Sequence, residues 1–245
     1  MAVLSEEQTM LRDMAREWTT NESPVTAFRK FRDLAPACGY DANAFKTMAE
    51  MGWAGIVIPE KFGGSDFGWL SLGLVLEETA KTLTASPLAS SALAASALVL
   101  GGSDGAKAAW LPKLASGEVV GTLAIDEGPR HNPAAIATTA TKAGDGWTLS
   151  GTKAFVHEAH GAALFIVAAQ TEGGVGVFAV PADAAGLSLA TRKLTDSRSH
   201  AHVTLANVKV GADGYLGGSD LLDRLLDRAR IVTAAEMLGL AEHSF

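Results

Sequence analysis

The spacing of apolar residues changes near Gly117 and again near Ser219, and this change restricts the possible fold more than any other feature. Up to residue 118, apolar residues recur at intervals of three and four, the spacing of one face of an α-helix. From residue 119 they occur in short β-branched runs separated by turn residues, which is typical of an antiparallel sheet. From Ser219 the helical spacing returns. The sequence therefore predicts an α+β protein, with an all-α N-terminal domain over 1–118, a sheet domain over 119–218 and a helix over 219–245 that opens an incomplete C-terminal helical domain.

Composition and charge exclude several classes of protein. With 48% apolar and 19% charged residues, the chain can bury a large core, which excludes extended disorder. Twenty basic residues against 27 acidic residues leave a net charge of −7, so no nucleic-acid partner is expected. Cys38 is the single cysteine, which excludes an intrachain disulfide framework and a thiolate-rich metal site.

Two segments bear on where the protein resides. Residues 1–10 contain Glu6 and Glu7 and lack the positive run and apolar core of a secretory signal, which predicts a cytoplasmic protein. The most apolar stretch, 83–100, is interrupted by serines and by Pro87. It therefore predicts a buried helix rather than a membrane span.

Two local patterns resemble ligand-binding motifs, but a structural role explains them better. Residues 174–179 fit G-x-G-x-x-A, yet these glycines lie between two predicted strands and not between a strand and a helix, which favours a hairpin. The pair His157 and His160 and the pair His200 and His202 lack the spacing of a zinc-binding helix and have no evident third ligand. No metal site is predicted.

Four segments resemble motifs of the acyl-CoA dehydrogenase family and occur in that family's order. Residues 52–64, GWAGIVIPEKFGG, resemble its segment GW-GI-xPEexGG, and residues 110–118, WLPKLASGE, resemble WLPxLasGe. Residues 149–156, LSGTKAFV, are similar to LxGxKxxI. Residues 208–217, which begin with VKV and end with LG, are similar to VxVPxxxxLG.

This resemblance implies a helical N-terminal domain, a central antiparallel β-barrel and the opening helix of a C-terminal helical bundle. It also implies FAD-dependent α,β-dehydrogenation of an acyl-CoA thioester, in which a glutamate removes the α-proton while the β-hydride moves to N5 of the flavin. The implied partners are an electron-transfer acceptor and another subunit of this family, in a homo- or heterotetramer.

The resemblance also implies which residues contact the flavin. These are Leu123, Ile125, Asp126, Phe155 and His157. The family's TEPxxGSD segment corresponds to residues 126–133, DEGPRHNP, in which Asp126 replaces the threonine. An acidic group at that point would oppose an electron-rich reduced flavin. Phe155 and His157 take the places of the family's W-x-T pair, where an aromatic ring and a hydrogen-bond donor are still provided.

Arg230 resembles an arginine of the family's first C-terminal helix that lies near the catalytic base, which makes it the candidate catalytic residue. In a subset of the family the base directly precedes this arginine, but here that residue is Ala229, which cannot take a proton. The base would then lie beyond Phe245 or be absent, and the alternative function is that of a non-catalytic partner subunit in a heteromeric acyl-CoA dehydrogenase. Arg230 could equally be a surface cation paired with Asp223 or Asp227.

Overall fold

The computed structural model describes residues 3–34, 36–194 and 198–245. Its α-helices are α1 Glu6–Glu22, α2 Val25–Leu34, α3 Ala42–Glu50, α4 Gly68–Lys81, α5 Leu88–Gly101, α6 Asp104–Ala115 and α7 Ser219–Ser244. Its strands are β1 Val120–Ala124, β2 Thr139–Ala143, β3 Gly146–His157, β4 Ala162–Thr171, β5 Gly174–Pro181, β6 Leu187–Lys193, β7 Ser199–Val210 and β8 Tyr215–Gly217. Six helices precede the strands and one follows them, which confirms the predicted α+β order.

Local hydrogen bonds explain where two of the N-terminal helices begin. At α1, Ser5 and Gln8 form a capping box, in which each side chain accepts the backbone N–H of the other residue. At α3, the Asp41 carboxylate accepts the N–H of Asn43 at 2.9 Å. Helix α2 was not predicted, although Val25, Phe28 and Phe31 recur at the three-residue spacing of one helix face and Phe31 is buried.

All eight described strands belong to one sheet. The order is β6-β7-β3-β2-β4-β5-β8, and β1 pairs with β4 off this path. Most pairings are antiparallel. The dipeptide Asp145-Gly146 predicts a tight hairpin, because glycine accepts a positive φ, and this hairpin and the one predicted at Gly174 are both present. However, β1 and β2 both pair with β4 in parallel, so the prediction of a wholly antiparallel sheet is wrong. Parallel pairing needs a long connection, and the β2–β3 hairpin lies between β1 and β4 in the chain and supplies it.

The predicted barrel closure is not observed among the described strands. The path ends at β6 on one side and at β8 on the other, and no pairing among these strands joins the two ends. The segments 147–149 and 153–157 read as two separate short strands in the sequence. They form the single strand β3, with a register shift against β7 between Leu149 and Gly151. The sheet is therefore open and contains one long, irregular strand.

Helix α5 connects the helical part of the molecule to the sheet. It corresponds to the buried helix predicted from residues 83–100, and its residues from Leu88 to Leu98 are almost all buried. Ser91 accepts the N–H of Gly121 at 3.4 Å, which holds β1 against α5. Two buried clusters each combine residues from helices and strands, so the division into three domains remains a prediction. No helix in the described ranges is long and apolar enough to cross a membrane.

Helices α4 and α7 approach closely at Gly239. A Cβ atom at this position would lie 2.0 Å from the carbonyl oxygen of Glu77 on α4. We therefore expect Gly239→Ala to lower the free energy of unfolding by about 1–3 kcal/mol, because the two helices must move apart. Gly73→Ala at the same helix pair is the matched control, since its Cβ would lie 3.7 Å from Ala235, an ordinary contact. Urea denaturation of both variants checks this, and equal stability of the two would contradict it.

Candidate functional site

A cavity of about 800 Å³ lies between the end of β1, the end of β3 and the middle of α7. Its wall contains every residue that the sequence assigned to a site, namely Leu123, Ile125, Asp126, Phe155, His157 and Arg230. The cavity volume lies within the range of small-molecule and cofactor sites. The structure thus brings residues from three separate elements together around one space.

The end of β3 contains a β-bulge that shapes this cavity. The register against β7 shifts between Lys153 and Val156, so that two residues of β3 oppose one residue of β7. Within the bulge Phe155 has a positive φ of 51°, which is uncommon for an aromatic residue. In a regular strand successive side chains point to opposite faces, whereas residues 154–157 all line the cavity. The bulge therefore turns a continuous stretch of β3 toward the cavity.

His157 is held at the cavity wall by contacts to two neighbouring strands. The hydroxyl of Thr122 on β1 donates to its carbonyl oxygen at 2.8 Å, and its ring centroid lies 4.3 Å from that of His200 on β7. The ring of Phe155 similarly packs edge-on against His202, at 5.3 Å. These histidines therefore pack against rings, and no group of three His, Cys, Asp or Glu side chains that could hold a metal occurs in the described part of the chain.

The end of β1 directs backbone polar groups toward the cavity side. The carbonyl oxygen of Ile125 accepts from Nζ of Lys153 at 3.0 Å, so Ile125 faces β3 and not β4, the ladder partner of β1. Backbone N–H and C=O groups of one extended residue point to the same side, and this direction repeats every second residue. The N–H groups of Leu123 and Ile125 therefore lie on the same side of β1.

A buried ion pair joins the segments that surround this strand end. Lys153 is fully buried, and its Nζ lies 2.6 Å from a carboxylate oxygen of Glu127. Glu127 also accepts the N–H groups of Ala137 at 2.7 Å and Thr138 at 2.9 Å. Burial alone would raise the pKa of Glu127, but the hydrogen bonds from Lys153 and from Thr138 and Ala137 outweigh it and lower that pKa to about 2. Burial lowers the pKa of Lys153, and the contact with Glu127 opposes this.

The depressed pKa of Glu127 predicts a specific acid sensitivity. Its carboxylate stabilises the folded state fully above pH 4.5, the ordinary value, and this contribution is lost as the pH falls from 4.5 toward about 2. We expect the melting temperature of the native protein to fall across this window more steeply than that of Glu127→Gln, which lacks the titrating group. Thermal melts at half-unit pH intervals measure the difference. Parallel pH profiles for the two proteins would contradict it.

Asp126 anchors the loop at the mouth of the cavity. Its carboxylate accepts the N–H of Asn132 at 2.9 Å and lies 2.9 Å from Nδ1 of His131. Its carbonyl oxygen accepts the N–H of Ala154 at 2.7 Å. Both carboxylate oxygens are thus used within the loop.

Helix α7 supplies the remaining wall. Arg230 is exposed, donates to Asp227 at 2.5 Å, and also lines the cavity, so the two interpretations of this residue are compatible. Ala229 lines the cavity as well and offers no acid–base group. The neighbouring Arg228 points elsewhere, because it donates to Ser96 and lies 5.0 Å from the ring centroid of Trp69. The charged group of α7 at the cavity is therefore Arg230.

Sequence reasoning did not identify a second buried acid beside the cavity. Glu158 is 1% exposed and accepts from Ser90, a cavity-lining residue, at 2.5 Å, and from Arg198 at 2.6 Å. The sequence marks the flanking His157 and His160 as a possible metal pair and His157 also as a flavin contact, but it gives Glu158 between them no role. The sequence signal for Glu158 is a charged residue that directly follows the mostly apolar end of a strand.

The comparisons with known proteins agree with this arrangement. The sequence model of the acyl-CoA dehydrogenase N-terminal domain matches residues 5–118, and that of the middle domain matches residues 125–208. A glutaryl-CoA dehydrogenase from Desulfococcus multivorans is 32% identical, over 98% of this chain and 65% of its own length. The short-chain specific acyl-CoA dehydrogenase of rat mitochondria is 28% identical, over 98% of this chain. This chain spans 61% of the length of that rat protein.

A solved structure supports the same relationship. The ChsE4–ChsE5 complex from Mycobacterium tuberculosis is similar, with a TM-score of 0.91 and 27% identity, over 99% of this chain and 66% of the chain in that complex. Its high TM-score shows that the helices, the sheet and α7 have a common arrangement in both proteins. With the two domain matches and the cavity between β1, β3 and α7, this chain belongs to the acyl-CoA dehydrogenase family of FAD-dependent oxidoreductases.

Proposed function

We propose that the protein catalyses FAD-dependent α,β-dehydrogenation of an acyl-CoA thioester. The observation that supports this most strongly is the convergence of the six assigned residues on one cavity of about 800 Å³. Three of them, Leu123, Ile125 and Asp126, lie at the end of β1, and Phe155 and His157 lie in the bulged end of β3. An arrangement of this kind provides both a flat contact surface and hydrogen-bond donors.

The residues present fit a flavin. Phe155 offers an aromatic face that can cover a planar ring system. The N–H groups of Leu123 and Ile125 lie on the β3-facing side of β1, where ring carbonyl groups need donors. The carboxylate of Asp126 is engaged by His131 and Asn132, so it does not present an unpaired charge to the ring. When bound, FAD supplies the acceptor for the β-hydride.

The side chains of this site would then stabilise developing negative charge and influence the ionisation of the catalytic base. If FAD binds here, His157 would donate a hydrogen bond at this wall, and a donor placed where negative charge develops would lower the energy of the transition state. Arg230 makes the potential at the α7 wall positive, which favours the ionised form of a nearby carboxylate base. Because Ala229 cannot accept a proton, the base that removes the α-proton must come from another segment or another subunit.

A second candidate function is that of a partner subunit in a heteromeric acyl-CoA dehydrogenase. The presence of Ala229 in the cavity wall favours it, because this wall lacks the acid–base group that one subset of the family places there. The similar ChsE4–ChsE5 structure is a complex of two proteins. In either case we place the chain in a homo- or heterotetramer that passes electrons to an electron-transfer protein.

The visible absorption spectrum of the intact protein tests these proposals. It is recorded alone and with a candidate second subunit of the acyl-CoA dehydrogenase family, before and after addition of short-chain, glutaryl and steroid side-chain CoA thioesters. Bound flavin that is bleached by a thioester in the protein alone supports the enzyme. Bleaching that needs the second protein supports the partner function. Absence of flavin from both samples would contradict both.

A further inference from the structure

The buried lysine Lys153 connects three segments that the strand pairing alone does not hold together. Its Nζ donates to the carbonyl oxygen of Ile125 at 3.0 Å, directly after β1, and to Glu127 at 2.6 Å. Glu127 in turn accepts the N–H groups of Ala137 and Thr138, directly before β2. One ammonium group and one carboxylate thus link the end of β1, the start of β2 and the end of β3.

This connection has a direct effect on the cavity. Lys153 holds the carbonyl oxygen of Ile125, and this contact fixes the direction of the backbone polar groups at the end of β1. The residues that follow Lys153 begin the bulge and line the cavity from Ala154 to His157. A shift of Lys153 would therefore move both the donor edge of β1 and the bulged segment of β3.

We propose that Lys153 and Glu127 form a positioning pair, which sets the separation between the donor edge of β1 and the ring-covering Phe155 and so creates the flavin-binding geometry. This inference rests on the proposed function, because it assigns a role toward FAD. Neither side chain lines the main cavity, so both act through the backbone that they hold. The pair is accordingly a positioning element and not a catalytic one.

The double variant Lys153→Met with Glu127→Gln tests the proposal in the intact protein. Removing both charges avoids leaving one of them buried and unpaired. We expect FAD to bind about tenfold or more weakly, since small displacements in such sites have large effects. We also expect faster amide hydrogen exchange at Ala137 and Thr138. Isothermal titration with FAD and exchange mass spectrometry measure the two effects.

The matched control is Arg16→Met with Glu78→Gln. Glu78 is 1% exposed and Arg16 donates to it at 2.8 Å, but this pair joins α1 to α4 and neither residue lines the cavity. If the Lys153–Glu127 pair only stabilised the fold, the control and the double variant would weaken FAD binding equally whenever they lowered the melting temperature by the same amount. Our proposal predicts that the control leaves FAD affinity unchanged.

The outcomes separate this inference from the proposed function. If the native protein binds FAD and the Lys153 variant binds it equally well, or retains native exchange at Ala137 and Thr138, the positioning role is overturned and the proposed function stands. If the native protein and its partner bind no FAD, the proposed function fails and the cofactor role of the pair fails with it. If FAD binds more weakly to the double variant of Lys153 and Glu127 but not to the control, both the positioning role and the proposed function are supported.

Discussion

His157→Ala should slow flavin reduction by about 10²–10³-fold in the acyl-CoA-loaded protein while leaving the dissociation constant for acyl-CoA nearly unchanged. Under the proposed function, a hydrogen bond from His157 to the flavin would strengthen as hydride arrives, so its contribution would be made mainly in the transition state. The contacts of its carbonyl with Thr122 and of its ring with His200 hold it at the cavity wall. Stopped-flow absorbance of the flavin under single-turnover conditions measures the rate.

His160→Ala is the matched control for this experiment. His160 lies in the turn after β3, three residues along the chain, where its Nε2 is 2.8 Å from the hydroxyl of Thr191, and it does not line the cavity. We expect its reduction rate to equal that of the native protein. Equal rates for His157→Ala and the native protein would show that His157 only packs in the sheet, and equal slowing in both variants would indicate a general effect on the fold.

Lys153→Met alone should be the most destabilising substitution among those considered. It leaves the carboxylate of Glu127 with 15% exposure and without its cation, and breaking one partner of a buried pair typically costs about 3–5 kcal/mol. Adding Glu127→Gln should recover a large part of this loss, because it leaves no buried charge without a partner. Chemical denaturation of the single and double variants measures the recovery.

An exposed lysine provides the control for Lys153. Lys142 on β2 lies 4.8 Å from the ring centroid of Trp147 and has no carboxylate within salt-bridge distance among the described residues. We expect Lys142→Met to change the free energy of unfolding by less than about 1 kcal/mol. If Lys153→Met were equally mild, the Glu127 carboxylate would have to be solvated in the folded protein, contrary to the geometry of the pair.

Those parts of the fold that are determined by residues close together in the chain could be predicted from the sequence. The capping box of Ser5 and Gln8, the turn at Asp145 and Gly146 and the apolar stretch of α5 each depend on neighbouring residues, and all three are confirmed. The parallel pairing of β1 with β4 was not predictable, because it joins strands about 40 residues apart and no local pattern distinguishes it from an antiparallel pairing.

For the site, the resemblance provides a set of candidate positions but not their geometry. The resemblance identified Phe155 and His157 from a motif in β3, and the structure places both at the cavity. The bulge between Lys153 and Val156 depends on the register against β7, which lies about 50 residues further along the chain. It therefore leaves no local signal in the sequence. Likewise, the sequence identifies Lys153 only as one position of the motif LxGxKxxI. Its burial and its hydrogen bond to the carbonyl oxygen of Ile125 depend on the tertiary structure.

The bulge in β3 also limits how this segment can change during evolution. Deleting one residue between Lys153 and Val156 would leave Val156 and His157 paired with Ala201 and His200 but would remove the bulge, so that this segment would alternate between the two faces of the sheet instead of lining the cavity continuously. Strand ends usually tolerate changes of length, but here such a change would remove the wall of the cavity. Variation at this wall should therefore occur through substitutions at constant length, and any insertion or deletion in relatives should fall in the turn after His157 instead.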